Sequence, residues 1–220
     1  MLIQDLISPN VPTLSLADSA EKAIHLMQDY HLTQLPLLNK NKYLGLISED
    51  ELLDWDDTEL TFANSHVNYF KPAALHETHA YNGVKIMIES KLNVLPVVDE
   101  QENYIGSVTQ ENFLQYLANG TQSMENGGVV VVEATQFNYS LSQISRIFES
   151  ENVNILSILV HANPSDNLLQ LTIKTNKQDL RAVVATLERL NYVVIENYSE
   201  HNDNEDLKSN FEGLMNYLKV

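Results

Sequence analysis

Cysteine is absent from this sequence. The chain therefore has no disulfide framework, no thiolate zinc site and no cysteine nucleophile, and burial of apolar side chains must stabilise its fold. Its hydrophobic fraction of 44% is enough for a sizeable core. Its length of 220 residues allows one large domain or two small ones. We expect two compact units.

Basic residues are few: 13 Lys and Arg stand against 30 Asp and Glu, which gives a net charge of −17. Such a surface repels phosphates and anionic lipids, so we expect neither a nucleic acid nor a membrane as partner. No stretch approaches the roughly 20 apolar residues that span a bilayer, and residues 1–6 lack the features of a signal peptide. We expect an unprocessed cytoplasmic protein.

Motifs of common catalytic sites are also missing. The sequence has no Gly-Xaa-Ser-Xaa-Gly nucleophile elbow, no phosphate loop and no dinucleotide fingerprint. His76 and His79 are a close histidine pair, but they lack the i, i+4 spacing of helical zinc ligands and stand at a predicted helix start. Asp56 and Asp57 are adjacent, so they diverge on a helix or a strand. We predict no enzyme activity, no catalytic residue and no metal site.

An internal repeat occupies the first half of the sequence. The repeated residues are Pro12, Ala20, Met27, Leu32, Leu35 and Pro36, which recur as Pro72, Ala80, Met87, Leu92, Leu95 and Pro96. After one inserted residue, Tyr43, Gly45 and Leu53 recur as Tyr104, Gly106 and Leu114. This constant spacing predicts a duplicated supersecondary unit.

Each copy has the same predicted order of elements. Apolar residues at i, i+3, i+4 and i+7 predict a helix around residues 20–27 and another around 80–88. A strand, a turn and a second strand follow each helix, and a short helix begins after Ser48 or Thr109. The glycine in the second strand indicates a close backbone approach or a kink. Because neither copy has enough apolar surface to fold alone, we expect the two to pack together.

The paired strands carry a recognisable signature. It reads Leu35-Pro36-Leu37-Leu38 with Gly45-Leu46-Ile47-Ser48, and Leu95-Pro96-Val97-Val98 with Gly106-Ser107-Val108-Thr109. This order resembles the CBS domain, which occurs in pairs that form one pseudo-twofold module. The resemblance implies a CBS pair over residues 1–122, with one repeat at about 1–60 and the other at about 61–122. It also implies a homodimer, because CBS pairs commonly associate side by side.

The resemblance also implies ligand positions in the clefts between the copies. In CBS domains a Ser or Thr after the Gly strand, and an Asp three residues later, often contact the phosphate and ribose of adenosine nucleotides. The matching positions are Ser48 with Glu51 and Thr109 with Asn112, so the Asp is replaced in both copies. The implied effectors are AMP, ADP, ATP or S-adenosylmethionine. Alternatively, Ser48 and Glu51 form a capping box that satisfies the next helix without any ligand.

The second half follows a polar stretch between Thr121 and Gly128. Its patterning predicts strands at 129–134, 155–161, 168–174 and 192–195, with helices around 141–148 and 180–190. This ferredoxin-like βαββαβ order, following a CBS pair, resembles the ACT domain over residues 128–200. ACT domains often pair across a dimer and bind amino acids. The turn at 136–140 lacks the Gly that usually lies beside their effector.

For residues 201–220 we predict an acidic tail and an amphipathic helix, and we expect that helix to dock on its own domain or on a partner. The fold class is therefore α+β, a tandem CBS repeat followed by an ACT-like domain, a layout that also resembles acetoin-utilisation proteins of the CBS–ACT type. Two functions fit this layout. One is a non-catalytic module that senses an adenosine nucleotide or related metabolite and signals to a regulated protein. The other is a ligand-free dimeric scaffold or interaction protein.

Overall fold

The computed structural model describes residues 1–64, 69–135, 139–163 and 168–199. The chain divides into two compact units, Met1–Leu117 and Ala118–Val220. The tail and helix predicted over 201–220, and most of the glycine-free turn, lie outside the described residues. Within the described part, no helix is both long enough and apolar enough to cross a lipid bilayer. The domain boundaries that we predicted at residues 122 and 128 stay predictions.

The first copy of the repeat forms a three-stranded sheet and two helices. Its elements are β1 (Leu14–Ser15), α1 (Ala20–Tyr30), β2 (Gln34–Asn39), β3 (Lys42–Ser48) and α2 (Glu49–Leu53). β1 pairs with β2 in parallel, and β2 pairs with β3 in antiparallel. α1 begins where the Ser19 side chain accepts a hydrogen bond from the Lys22 N–H, and it ends at His31 in the left-handed conformation.

The second copy repeats this arrangement. Its elements are β4 (Ala74–Leu75), α3 (Ala80–Glu89), β5 (Val94–Val98), β6 (Tyr104–Thr109) and α4 (Gln110–Gly120). β4 again pairs with β5 in parallel, and β5 with β6 in antiparallel. The register that places Leu37 opposite Gly45 recurs as Val97 opposite Gly106. The predicted duplication is therefore confirmed element by element.

The segment that precedes each copy packs into the core of the other copy. Ile3 is fully buried in the core of the second copy, and its N–H donates to the Thr78 carbonyl at 2.8 Å. Phe62 is buried in the core of the first copy, and its N–H donates to the Asp18 carbonyl at 3.1 Å. Neither copy has a complete core of its own. This exchange confirms the expectation that the two copies pack together.

The repeated glycines lie where these exchanged segments cross the second strand of each copy. A Cβ atom at Gly106 would lie 2.4 Å from Cγ2 of Ile7, and one at Gly45 would lie 2.5 Å from Cβ of Tyr69. Both distances are shorter than a carbon–carbon contact, so a side chain cannot be accommodated unless the segment moves. The close approach predicted from the two glycines is confirmed.

The second unit contains one four-stranded antiparallel sheet and two helices. Its elements are β7 (Val129–Thr135), α5 (Leu141–Ser150), β8 (Ile155–Asn163), β9 (Leu168–Thr175), α6 (Arg181–Arg189) and β10 (Val193–Tyr198). The strand order is β10-β7-β9-β8, and the two central strands, β7 and β9, are the first and third strands of the unit. Apolar residues of α5 and α6 share one core with alternate residues of these central strands. The predicted βαββαβ, ACT-like fold and the α+β class are confirmed.

Candidate functional site

Ser48 and Glu51 lie at the junction of β3 and α2. The Ser48 N–H donates to Glu51 Oε2 at 3.0 Å, and the Glu51 N–H donates to Ser48 Oγ at 3.3 Å. These two reciprocal bonds form the capping box that the sequence predicts. Both side chains therefore already have a structural role, whether or not a ligand binds beside them.

Thr109 and Asn112 occupy the equivalent junction of β6 and α4. The N–H and the hydroxyl of Thr109 both donate to Asn112 Oδ1, at 3.0 and 2.7 Å. The Asn112 N–H donates back to Thr109 Oγ1 at 3.3 Å. The structure thus pairs the two residues that the sequence analysis proposed as partners, and it gives them a capping role that the sequence analysis did not predict.

A groove of about 550 Å³ lies beside Thr109 and Asn112. Its walls come from the segment before β1, the end of α1, the start of β5 and the first turn of α4. The lining residues are Ser8, Pro9, Asn10, Val11, Tyr30, His31, Leu32, Asn93, Thr109, Gln110, Glu111, Asn112 and Gln115. Both copies therefore contribute to one cleft, whose volume is typical of a small-molecule site.

Asn93 lines this groove, and its side-chain oxygen is buried out of contact with solvent. Its backbone N–H donates to Gln34 Oε1 at 3.1 Å, and its carbonyl accepts from the Gln110 N–H at 3.2 Å. The side-chain Oδ1 is buried, yet none of the described residues donates a hydrogen bond to it. Such an atom is costly unless something else donates to it. Asn93 was not predicted from the sequence, because it stands outside both strand signatures.

Comparison with known protein families decides what this repeat is. The family model for the CBS domain matches residues 3–57 and 74–119. The first unit is a CBS domain pair. The resemblance inferred from the strand signatures is therefore confirmed, and the groove lies in the cleft between the two CBS domains.

Proteins of known identity align with this chain at low sequence identity. An inosine-5'-monophosphate dehydrogenase from Methanocaldococcus jannaschii is 21% identical over 160 residues, which are 72% of this chain and 32% of that protein. The chain thus spans well under two thirds of that relative. A CBS domain pair/ACT domain protein from Thermotoga maritima aligns over 54% of this chain and 98% of its own, with 21% identity and a TM-score of 0.48. A structure of CBSX2 in complex with AMP aligns over 54% and 96%, with 22% identity and a TM-score of 0.46.

The electrostatic character of the groove in the CBS pair is mildly acidic. Among the described residues that line it, Glu111 is the single carboxylate and no lysine or arginine occurs. The first turn of α4 partly offsets this charge, because helix N-termini carry a partial positive charge. The groove therefore favours a ligand held by hydrogen bonds over one held by ion pairs.

Two lysines near the clefts, Lys71 and Lys42, already bind other residues of the chain. Lys71 Nζ lies 2.9 Å from Glu102 Oε2. The hydrogen bond and positive charge of Lys71 hold the pKa of Glu102 below its usual range. Lys42 Nζ donates to the Gln101 carbonyl. Lys42 thus joins the first CBS domain to the β5–β6 turn of the second, and Lys71 joins the connection between the domains to the same turn.

The two neighbouring histidines have separate positions. His79 caps α3, because its Nδ1 accepts a hydrogen bond from the Tyr81 N–H at 3.2 Å. The prediction that it marks a helix start is confirmed. His76 Nδ1 is buried and accepts or donates no hydrogen bond within the described residues. In that same part of the chain, no three His, Asp or Glu side chains cluster as a metal site would require.

A second groove, of about 530 Å³, lies in the ACT-like unit. It lies beside the end of β7, the first turn of α5 and the α6–β10 connection. Tyr192 and Gln143 line it and are joined by a hydrogen bond of 2.9 Å from the Tyr192 hydroxyl to Gln143 Oε1. The turn that would carry the effector-binding glycine of ACT domains is largely outside the described residues.

Proposed function

We propose that this protein is a non-catalytic regulatory module whose CBS pair binds an adenosine nucleotide or a related metabolite in the groove at Thr109 and Asn112. The observation that carries the proposal is a groove of small-molecule size that is lined by polar side chains from both domains. An adenine amino group and ribose hydroxyls would pair with these side-chain amides and hydroxyls. The family supports this choice of ligand, because CBS pairs include a protein crystallised with AMP.

The role of each proposed residue follows from its hydrogen-bonding capacity. The Asn112 side chain keeps donor N–H groups besides the Oδ1 that Thr109 uses. Thr109 would hold Asn112 in place and contact the ligand through its second lone pair. Ser48 and Glu51 stay candidates for the equivalent cleft. Their mutual bonds leave part of the Glu51 carboxylate available as an acceptor.

A signal would arise because the groove is built from both CBS domains. A ligand that contacts Asn10 and His31 on one side and Asn93 and Thr109 on the other stabilises one arrangement of the two domains. Ligand binding changes an equilibrium only through such differential contacts. We propose that a partner protein, or a second copy in a homodimer, responds to that arrangement.

Thermal unfolding with AMP, ADP, ATP and S-adenosylmethionine at 1 mM tests the proposal. At 1 mM, an effector with a Kd of about 1 μM stabilises the native state by about 4 kcal/mol, which should raise Tm by roughly 8–16 °C. Thr109→Ala should abolish the rise. Ser19→Ala, which removes the cap of α1 and lies outside the groove lining, controls for the loss of a cap. Absence of any shift with all four compounds would overturn the proposal.

The second candidate function is a ligand-free dimeric scaffold. It is favoured by the finding that Ser48 with Glu51 and Thr109 with Asn112 are already satisfied by each other. It predicts a homodimer in light scattering, with no thermal shift and no change in mass when nucleotide is added. A nucleotide-dependent shift that Thr109→Ala removes would exclude it.

A further inference from the structure

Three Asn-Gly pairs occur in the sequence, at Asn82-Gly83, Asn119-Gly120 and Asn126-Gly127. We propose that Asn126 is a site of spontaneous covalent modification, at which the side-chain amide is lost and the residue converts to aspartate and isoaspartate. All three asparagines are exposed to solvent, so access of water does not distinguish them. The backbone around each asparagine does distinguish them.

The reaction needs only the next peptide nitrogen and water. The Gly127 nitrogen loses its proton and forms a bond to Cγ of Asn126, while the side-chain amide nitrogen takes up a proton and leaves as ammonia. Water then adds to either carbonyl of the resulting succinimide ring and breaks one ring carbon–nitrogen bond. Opening on one side gives aspartate, and opening on the other gives isoaspartate, which lengthens the backbone by one methylene group. Glycine favours the first step because it has no Cβ to hinder the approach.

The part of the chain that the structure describes places few restraints on Asn126. The residue lies in the connection between α4 and β7, outside both elements. Among the described residues, neither its side-chain amide nor the Gly127 N–H has a hydrogen-bond partner. The Gly127 nitrogen can therefore turn towards Cγ and reach the separation at which the two atoms react.

The fold requires the glycine that makes Asn126 reactive. Gly127 has a φ of +154°, and a Cβ atom there would lie 1.8 Å from the Thr175 carbonyl oxygen. No side chain fits at that distance, so residue 127 must be glycine. The Gly127 carbonyl also accepts a hydrogen bond from Lys174 Nζ at 3.0 Å, which fixes this glycine beside β9. The start of the ACT-like unit therefore keeps a reactive Asn-Gly pair in the connection that leads into it.

The other two pairs lie in helices, which restrict the same movement. Asn82 and Gly83 are in the first turn of α3, and the Gly83 N–H donates to the His79 carbonyl at 3.5 Å. A helical backbone fixes the ψ of asparagine at a value that keeps the next nitrogen from reaching Cγ. Asn119 lies in the last turn of α4, where helices fray. We therefore expect Asn126 to react fastest, Asn119 more slowly and Asn82 slowest.

Peptide mapping of the full chain tests the proposal. The protein is incubated at mildly alkaline pH, which favours loss of the nitrogen proton. Cleavage after glutamate then separates the three pairs into peptides 78–89, 112–125 and 126–133. Loss of the amide raises the mass by about 1 Da, and electron-transfer fragmentation distinguishes isoaspartate from aspartate. We expect peptide 126–133 to convert at least tenfold faster than peptide 78–89, with isoaspartate among its products.

Two controls separate the effect of structure from that of sequence. In guanidinium chloride the three pairs should convert at similar rates, because the unfolded chain restrains none of them. Asn126→Gln keeps an exposed amide but would have to close a less favourable six-membered ring, so its peptide 126–133 should stay unmodified. Equal rates for the three pairs in the folded protein would overturn the proposal, and so would a tenfold difference that persists in the denaturant.

Discussion

Tyr43 and Tyr104 occupy the same position in the two CBS domains, and each donates its N–H to the turn that leads into the other. The Tyr43 N–H donates to the Glu102 carbonyl at 3.1 Å, and the Tyr104 N–H donates to the Asn41 carbonyl at 2.8 Å. Burial raises the pKa of both phenols, with the nearby Tyr104 adding to the rise at Tyr43 and a hydrogen bond to Ser107 opposing it at Tyr104. Both side chains stay neutral near pH 7, so this contact between the domains is insensitive to pH there.

Removing the buried hydroxyl of Tyr43 should destabilise the CBS pair. It donates to the Pro72 carbonyl at 2.9 Å, in the connection between the domains. Tyr43→Phe leaves that buried carbonyl without its donor, so we expect a loss of about 1–2 kcal/mol in the free energy of unfolding. Urea unfolding followed by the fluorescence of Trp55, the only tryptophan of the chain, measures it. Tyr30→Phe, at an exposed phenol, is the control; an equal loss in both variants would contradict the prediction.

Adding one methyl group at Gly45 should loosen the exchanged segment. Its Cβ would lie 2.5 Å from Cβ of Tyr69 and 2.9 Å from the Phe70 carbonyl oxygen. Because the backbone must shift, we expect Gly45→Ala to lower the free energy of unfolding by about 1–3 kcal/mol, read again from Trp55. Gly120→Ala is the matched control, since nothing lies within 4 Å of its added Cβ. A Gly45→Ala protein as stable as Gly120→Ala would refute the close approach.

Asp18 should make the stability of the first CBS domain depend on pH. Burial would raise its pKa, but hydrogen bonds from Lys22 and from the N–H and hydroxyl of Ser15 outweigh burial and hold the pKa below its usual range. A lowered folded pKa means that the stabilisation is complete above the unfolded value of about 3.9 and is lost as the pH falls through the folded value.

The comparison of Asp18→Asn with the unchanged protein measures this effect. Asp18→Asn should be less stable by about 1 kcal/mol at pH 7, and the difference should shrink as the pH is lowered from about 4 to about 2.5. Asp29→Asn, on the exposed side of α1, is the control. A difference that is constant over this pH range would show that the charge of Asp18 does not stabilise the fold.

Thr175 should be important for the start of the ACT-like unit. It is fully buried, and its hydroxyl lies 3.1 Å from the Gly128 carbonyl and 2.9 Å from the Lys177 carbonyl. Thr175→Val keeps the shape but removes the donor, so we expect a loss of about 1–2 kcal/mol. Hydrogen–deuterium exchange should accelerate in β7 and β9, with Trp55 fluorescence unchanged. Thr172→Val, at a partly buried residue on the same strand, is the control. In that variant the amides of β7 and β9 should exchange at the rate of the unchanged protein.

The sequence predicts the helices and strands of this fold better than it predicts which segments complete each core. Periodicity reports local structure, so α1, α3 and the strand pairs were predictable, and the exact repeat of Tyr43 as Tyr104 revealed the duplication. Periodicity carries no information on which distant segment covers a core. The insertion of Ile3 beside Thr78 is therefore visible only in the structure.

The candidate site was likewise predictable from the sequence only in part. The Ser48 and Glu51 capping box follows from residue types three apart, and the structure contains it. The cap made by Thr109 and Asn112 was not predicted, because a Thr–Asn pair is a weaker capping signal than a Ser–Glu pair. Asn93 lies beside the start of α4 because its carbonyl accepts from the Gln110 N–H, a contact that sequence spacing alone does not indicate.

The exchange of leading segments has the topology of a domain-swapped dimer whose two subunits are joined by one covalent connection. The stretch between α2 and Phe62 packs on the first copy, where the Thr58 carbonyl accepts from the Glu21 N–H at 2.9 Å, and it also acts as a tether that raises the local concentration of one half around the other. If that tether were cut, each half would still hold the segment that completes its partner. The two fragments would fold only together, as a heterodimer with the groove at Thr109 restored between them.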